Sequence, residues 1–417
     1  MSGRLVQSAA VALAVLGSAC TEKPAVPILS WYANPDDGTQ AELAQLCSRA
    51  SGGRYRIEVS VLPRDASAQR EQLVRRLAAR DRSIDFMSID PPFLAELGAA
   101  GFLRPFEGED AAELTDGVLA GPVESAHFAG QLFGVPFWAN TQLLWFRKSV
   151  AARAGLDPER RPLTWSELVR AASATGTRVD VQARRYEGYT VWINALVSSA
   201  GGAILTNPEA GRDAVPGIDS EAGRRAAGII AELASSPARN AALSSADEEA
   251  ARLGFQGPRG GFMVNWPYVY GAADPSLLDD IGWARYPRVD PARESRPPLG
   301  GIVLGVSALS QSPDLAREAI RCITSEENQK LHMIRAKSPA ARRAVYDDPE
   351  VRRVFPMADL VRESIESASP RPLTPYYTDV SAAVVRMFHP PASVNPQRTP
   401  AAASRLIVDV LHDRVLL

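Results

Sequence analysis

Two hydrophobic periods alternate along the chain. ILSWY (28–32) is a short apolar run that predicts a strand; the turn-rich ANPDDG follows it, then a helix over 39–50. RYRIEVSVL sets Tyr55, Ile57, Val59 and Val61 on one face with a period of two, which predicts a half-buried strand. An amphipathic helix carrying Leu73, Val74 and Leu77 comes next, then a buried strand in IDFMSID (84–90). Pro91-Pro92 opens a further helix that Gly98 and Gly101 help to end.

A second series starts at TQLLWFR (141–147), with helices predicted around Trp165–Ala172, Val191–Ser199, Glu221–Leu233 and Ala246–Leu253. YPRVDPARESRPPLGG (286–301) has no period and reads as a connector to a strand at 302–308 and a helix bearing Cys322. The C-terminal part is mostly helical, interrupted by SPRPLTPYY (369–377). Repeated strand–helix–strand units with short links predict an α/β chain of mainly parallel sheets flanked by helices.

The N-terminus changes the picture of where this chain works. In MSGRLVQSAAVALAVLGSAC (1–20), Arg4 precedes a short apolar run and small residues lead up to Cys20. The run is too short to span about 30 Å of hydrocarbon. It predicts an export signal over 1–20, with Cys20 as the lipidated first residue of a protein anchored to the outer face of the cell membrane. The alternative is an ordinary secreted protein with an incidental cysteine.

Composition removes several classes. With 417 residues, 46% hydrophobic and 23% charged, the chain is long enough for two or three domains and too apolar for disorder. A net charge of −2 gives no basic field for nucleic acid. The three cysteines and four scattered histidines (His127, His332, His389, His412) form no metal motif, and no dinucleotide fingerprint, P-loop or nucleophile elbow is present. No cofactor, metal or catalytic residue is therefore assigned, although plentiful carboxylates keep a secreted glycoside hydrolase as an alternative. Cys47 and Cys322 each lie on the apolar side of a predicted helix; an oxidising compartment permits a disulfide between them, and two buried free thiols are the other option.

The informative chemistry is aromatic, amide and acidic. Trp31, Trp145, Trp165 and Trp283 read as core, and Trp192 as helix core or cleft. Trp138 and Trp266 differ because polar residues flank them, in PFWANTQ and VNWPYVY. An indole covers the C–H face of a sugar ring, while carboxylates and amides hold its hydroxyls. Asp36 and Asp37 follow the first strand and Asp90 ends the third, where ligands of parallel sheets bind. A plain turn and a helix cap explain the same residues without a ligand. Glu248, in Asp247-Glu248-Glu249, likewise fits a solvated helix face paired with Arg252.

The segments LPRDASAQREQL (62–73), NTQLLWFR (140–147), VWINALVSSAGG (191–202), ARLGFQG with VNWPYVY (251–270), Gly300-Gly301 and RPLTPYY (371–377), in this order and spacing, carry a family resemblance. The chain resembles the extracytoplasmic sugar-binding proteins of ABC importers (solute-binding protein family 1), and among them the actinobacterial trehalose-binding lipoproteins of the LpqY type. That resemblance implies a two-lobed periplasmic-binding-protein-like fold of type II. One lobe would comprise 27–140 and 285–336, the other 141–284 and 337–417, with hinge crossovers near Asn140, Pro287 and Lys337. It also implies a bound disaccharide, trehalose first, held by Asp36, Asp37, Asp90, Asn140, Glu248, Trp266, Gly301 and Arg371; the alternative within the same fold is another polyol or a glycerophosphodiester. The partners would be an ABC permease and its ATPase, and the protein would be a monomer. Trp138 stands where these trehalose binders carry small hydroxyl residues, which bears on the choice of sugar.

Overall fold

The computed structural model describes residues 26–417. The predicted export signal and Cys20 lie outside the described residues. Twelve strands follow in chain order among these: β1 (Ile28–Ala33), β2 (Arg56–Val61), β3 (Phe86–Ile89), β4 (Leu103–Arg104), β5 (His127–Phe128), β6 (Gln131–Leu132), β7 (Val135–Thr141), β8 (Leu143–Arg147), β9 (Arg178–Asp180), β10 (Gly260–Asn265), β11 (Ile281–Ala284) and β12 (Leu299–Ser307). One sheet has the order β2-β1-β3-β12-β4, with β7 also paired to β12; the other runs β11-β8-β10-β9, and β5 and β6 form a small hairpin. The chain is a two-lobed α/β protein with one large sheet in each lobe.

The sheets are mixed and not mainly parallel, which corrects the sequence expectation. β1 runs parallel to β2 and β3, and β9 to β10. β12 is antiparallel to β3, β4 and β7, and β8 to β10 and β11. A hydrophobic period reports which face is buried and carries no information on strand direction. The direction here follows from crossings: the chain passes from the first sheet to the second between Thr141 and Leu143, and returns between Ala284 and Leu299. β12 begins at Leu299, so Gly300 and Gly301 belong to the strand and not to the connector. The face predicted for β2 also fades: Ile57 is buried, Val59 half-buried and Val61 67% exposed, because β2 is an edge strand whose far end has no layer over it.

The first sheet packs its core around Trp31, Phe86, Phe137, Leu304 and Ile320. The second sheet is buried on both faces, one against Trp165, Trp192, Ile230 and Val384, the other against Phe255, Tyr346 and Val361. Trp31, Trp145 and Trp165 are core residues as expected, and Trp192 joins them; Trp283 is only half-buried, edge-on to Trp145 and Tyr270. The Cys47–Cys322 disulfide is formed, with Cα atoms 5.8 Å apart, and joins the helices Thr39–Ala50 and Pro313–Ile323 beside the first sheet. The helix Glu326–Ala336 then ends on Lys337, a non-glycine residue in the left-handed region (φ 56°).

Asp180, at the end of β9, is fully buried, and its Oδ1 accepts a 2.6 Å hydrogen bond from Asn240 Nδ2. Burial pushes its carboxyl up to about 6 from 3.8, against the pull of the Asn240 amide and the Arg178 charge. Because the folded value lies above the unfolded one, the native state binds the extra proton. This stabilisation is therefore complete below about pH 4 and is lost as the pH rises through about 6. Asp180→Asn does not titrate, so it should gain on the natural protein by roughly 3 kcal/mol between about pH 4 and pH 7. Urea unfolding of both proteins across that range checks it; a constant difference would contradict it.

Candidate functional site

The carboxyl ends of β1, β3, β9 and β10 face a cavity of about 650 Å³ between the two sheets. That is where the chain reverses over the strand ends and leaves side chains uncovered. Six of the eight residues expected to bind ligand line it: Asp90, Asn140, Glu248, Trp266, Gly301 and Arg371. Trp138 lines it as well, opposite Ile302 in the β7–β12 register.

The structure does not bring Asp36 and Asp37 into this cavity. Asp36 accepts hydrogen bonds from the backbone N–H groups of Gly38 (3.0 Å) and Gln40 (2.7 Å), and Asp37 from Thr39 Oγ1 (2.6 Å). Both carboxylates satisfy the free N–H groups at the start of the helix Thr39–Ala50, the turn role weighed against ligand binding. Asn34, one residue after β1, lines the cavity from this segment.

Each remaining residue is held by its local backbone. Asp247 caps the helix Glu248–Gln256 by accepting from Ala250 N–H at 3.0 Å, and also accepts from Arg184 Nη1 at 3.0 Å. Glu248 thus opens the helix, where negative charge is favoured. Arg252 pairs with Glu249 at 2.9 Å, so Glu248 has no arginine partner among the described residues and belongs to the cavity wall instead of a solvated ion pair. Asn265, buried at the end of β10, donates to the Glu248 carbonyl (2.9 Å) and accepts from the Trp266 N–H (2.9 Å). One amide therefore fixes both the acid and the indole. Trp266 lies over Gly300: a Cβ added there would sit 3.1 Å from its ring. Gly301 has φ +128°, and a Cβ would meet the Trp138 carbonyl at 2.3 Å, so only glycine fits between β7 and the cavity.

The charged centre of the site spans both lobes. Arg371 is 3% exposed and donates from Nη2 to Asp90 Oδ1 (2.7 Å) and from Nη1 to Glu187 Oε1 (2.5 Å). Tyr377 Oη donates to the same Glu187 oxygen at 2.5 Å. Asp90 follows β3 of the first sheet, while Glu187 starts the helix Glu187–Ser199 packed on the second. Burial pushes the Asp90 carboxyl up to about 6; Arg371 pulls it down, and Glu187 pushes it further up. Burial likewise raises Glu248 above the usual carboxylate range.

Sequence reasoning missed Glu187, Tyr186 and Arg184. The apolar pattern predicts this helix only from Val191, and ARRYEG before it carries no hydrophobic period. Gly188 was the available signal, because a Cβ there would lie 2.2 Å from the Tyr186 hydroxyl. Glycine lets that phenol fold back over the helix start, where Arg184 stacks 4.4 Å from its ring centre. No group of three or more His, Cys, Asp or Glu side chains among the described residues is arranged to hold a metal ion.

A cleft between two sheets, with polar side chains from both lobes converging on it, is the architecture of a binding protein. The chain belongs to the bacterial extracellular solute-binding protein family, whose model matches residues 34–330. It is 25% identical over 341 residues to a probable ABC transporter-binding protein of Deinococcus radiodurans, covering 76% of each chain. Among solved structures it is similar to maltose-bound MalE3 of T. maritima, with a TM-score of 0.80 and 25% identity over 93% of this chain and all of that one. It is similar in fold to an Agrobacterium vitis ABC-transporter solute-binding protein with bound D-mannitol, with a TM-score of 0.72 and 18% identity, covering 93% and 98% of the two chains. The Deinococcus and Agrobacterium proteins are both named as binding proteins of ABC transporters. No described helix is long and apolar enough to cross a membrane.

Proposed function

We propose that the protein captures an uncharged saccharide in this cleft and delivers it, unreacted, to an ABC permease with its ATPase. The observation that carries the reading is the pairing of the one buried cation at the centre of the cleft. Arg371 is engaged by Asp90 and Glu187, the half-exposed Arg184 is paired with Asp247, and only the exposed Arg64 lines the cavity without an ion pair among the described residues, so the walls offer carboxylates, amides and two indoles in place of a cationic floor. Hydroxyl groups satisfy such acceptors, whereas a phosphate or carboxylate ligand calls for free guanidinium groups. The maltose and mannitol named for two relatives support a sugar or polyol. Trehalose is the first candidate, on the motif resemblance of the sequence. Anchoring through Cys20 belongs to the same proposal.

Contacts from both lobes would stabilise a closed form by hinge motion near Asn140, Pro287 and Lys337, and the permease would recognise that form. Calorimetric titration against trehalose, maltose and mannitol tests the choice; no saturable binding to any of them would contradict the reading. Trp266→Ala should lower affinity about 5- to 30-fold, the equivalent of about 1–2 kcal/mol of stacking, with little change in melting temperature. Lost stability with unchanged affinity would instead make Trp266 a structural residue.

A further inference from the structure

Three arginines converge at the pole of the second sheet that points away from the cleft. Arg178 opens β9, and its N–H donates to the Arg259 carbonyl at 2.9 Å, one residue before β10. Arg239 is brought alongside by the parallel bridge between its backbone and Val179. With Ser235 and Ser236, at the end of the helix Glu221–Ser235, they line one concavity of about 400 Å³.

The three side chains are short of acceptors. None forms an ion pair within 4.0 Å with a carboxylate of the described residues. Arg239 Nη1 donates to the Ala234 carbonyl (3.2 Å) and Arg259 Nε to the Gly176 carbonyl (3.1 Å), each at a helix C-terminus. Arg178 Nε is buried without a partner. The acid that Arg178 feels is Asp180, whose Oδ1 is bonded to Asn240. A guanidinium carries five donors, so one carbonyl each for Arg239 and Arg259, and none for the Arg178 side chain, leaves most of them directed elsewhere. Like charges gathered in one concavity repel, and an oxyanion relieves that repulsion while accepting several N–H groups at once.

We propose that this pole is a binding site for a phosphate group. Its chemistry is opposite to that of the cleft, and it stands whether or not the cleft takes a sugar. The phosphate could arrive as a free phosphorylated compound or as the headgroup of an anionic lipid, and two assays separate these sources. The full chain is titrated calorimetrically with inorganic phosphate and pyrophosphate, and it is co-sedimented with phosphatidylglycerol or phosphatidylcholine vesicles at low salt. The comparison protein is Arg239→Gln/Arg259→Gln. Both positions are exposed and glutamine keeps an N–H for each helix carbonyl; a thermal melt confirms folding. Saturable binding of pyrophosphate, weakened about tenfold or more in the variant, supports a free-phosphate site. Retention on phosphatidylglycerol vesicles that the variant loses supports the headgroup. Binding of neither probe, or equal binding by both proteins, overturns the proposal.

Discussion

Arg371→Ala should destabilise the protein by about 3–5 kcal/mol at neutral pH, read from urea unfolding, and should also abolish tight ligand binding. Among the described residues the guanidinium is the only cation bonded to Asp90 and Glu187, and it is 3% exposed against 17% and 10% for the two acids. Its removal leaves two largely buried carboxylates near one another with no cation between them. The defect should also depend on pH in a defined direction. Burial already holds Asp90 at about 6, above its ordinary 3.8, with Arg371 pulling it down; loss of that pull raises it further. An acid raised in the folded state gives stability at low pH that disappears as the pH rises. The variant should therefore lie nearer to the natural protein at about pH 5 than at about pH 8. A defect that is unchanged, or larger at the acid end, would contradict the charge argument.

The second large effect concerns the disulfide. Cys47 and Cys322 are 275 residues apart, and both sit beside the first sheet, so the covalent loop contains the whole second sheet. Chain-entropy reasoning gives about 5–6 kcal/mol for so long a loop. Cys47→Ala/Cys322→Ala should lose stability of that order in guanidinium unfolding, and a reductant should lower the natural protein alone. Saccharide affinity should stay unchanged, since neither cysteine lines the cleft. Equal stability of the two proteins would show that the loop is already constrained in the unfolded chain.

What the sequence disclosed, and what it withheld, follows from the range of each interaction. The strand–helix order was legible because burial periods are local: IDFMSID became β3, and TQLLWFR runs into β8. Trp138 and Trp266 stood apart from the core tryptophans because polar residues flank them in the sequence, and both line the cavity. Asp36 and Asp37 could not be resolved, since a helix start and a sugar call for the same carboxylates in the same turn. Glu187 was invisible for another reason. Its importance lies in partners 184 and 190 residues further along the chain, and no local pattern reports such a meeting. Strand direction was lost in the same way, being set by the crossings between sheets.

The measurement closest to the central claim is equilibrium dialysis of the purified protein against labelled trehalose, maltose and mannitol, with chromatography of what the protein retains. The account predicts saturable retention of an uncharged saccharide or polyol, recovered chemically intact after prolonged incubation. Recovery of cleaved sugar, or retention only of anionic solutes, would contradict it.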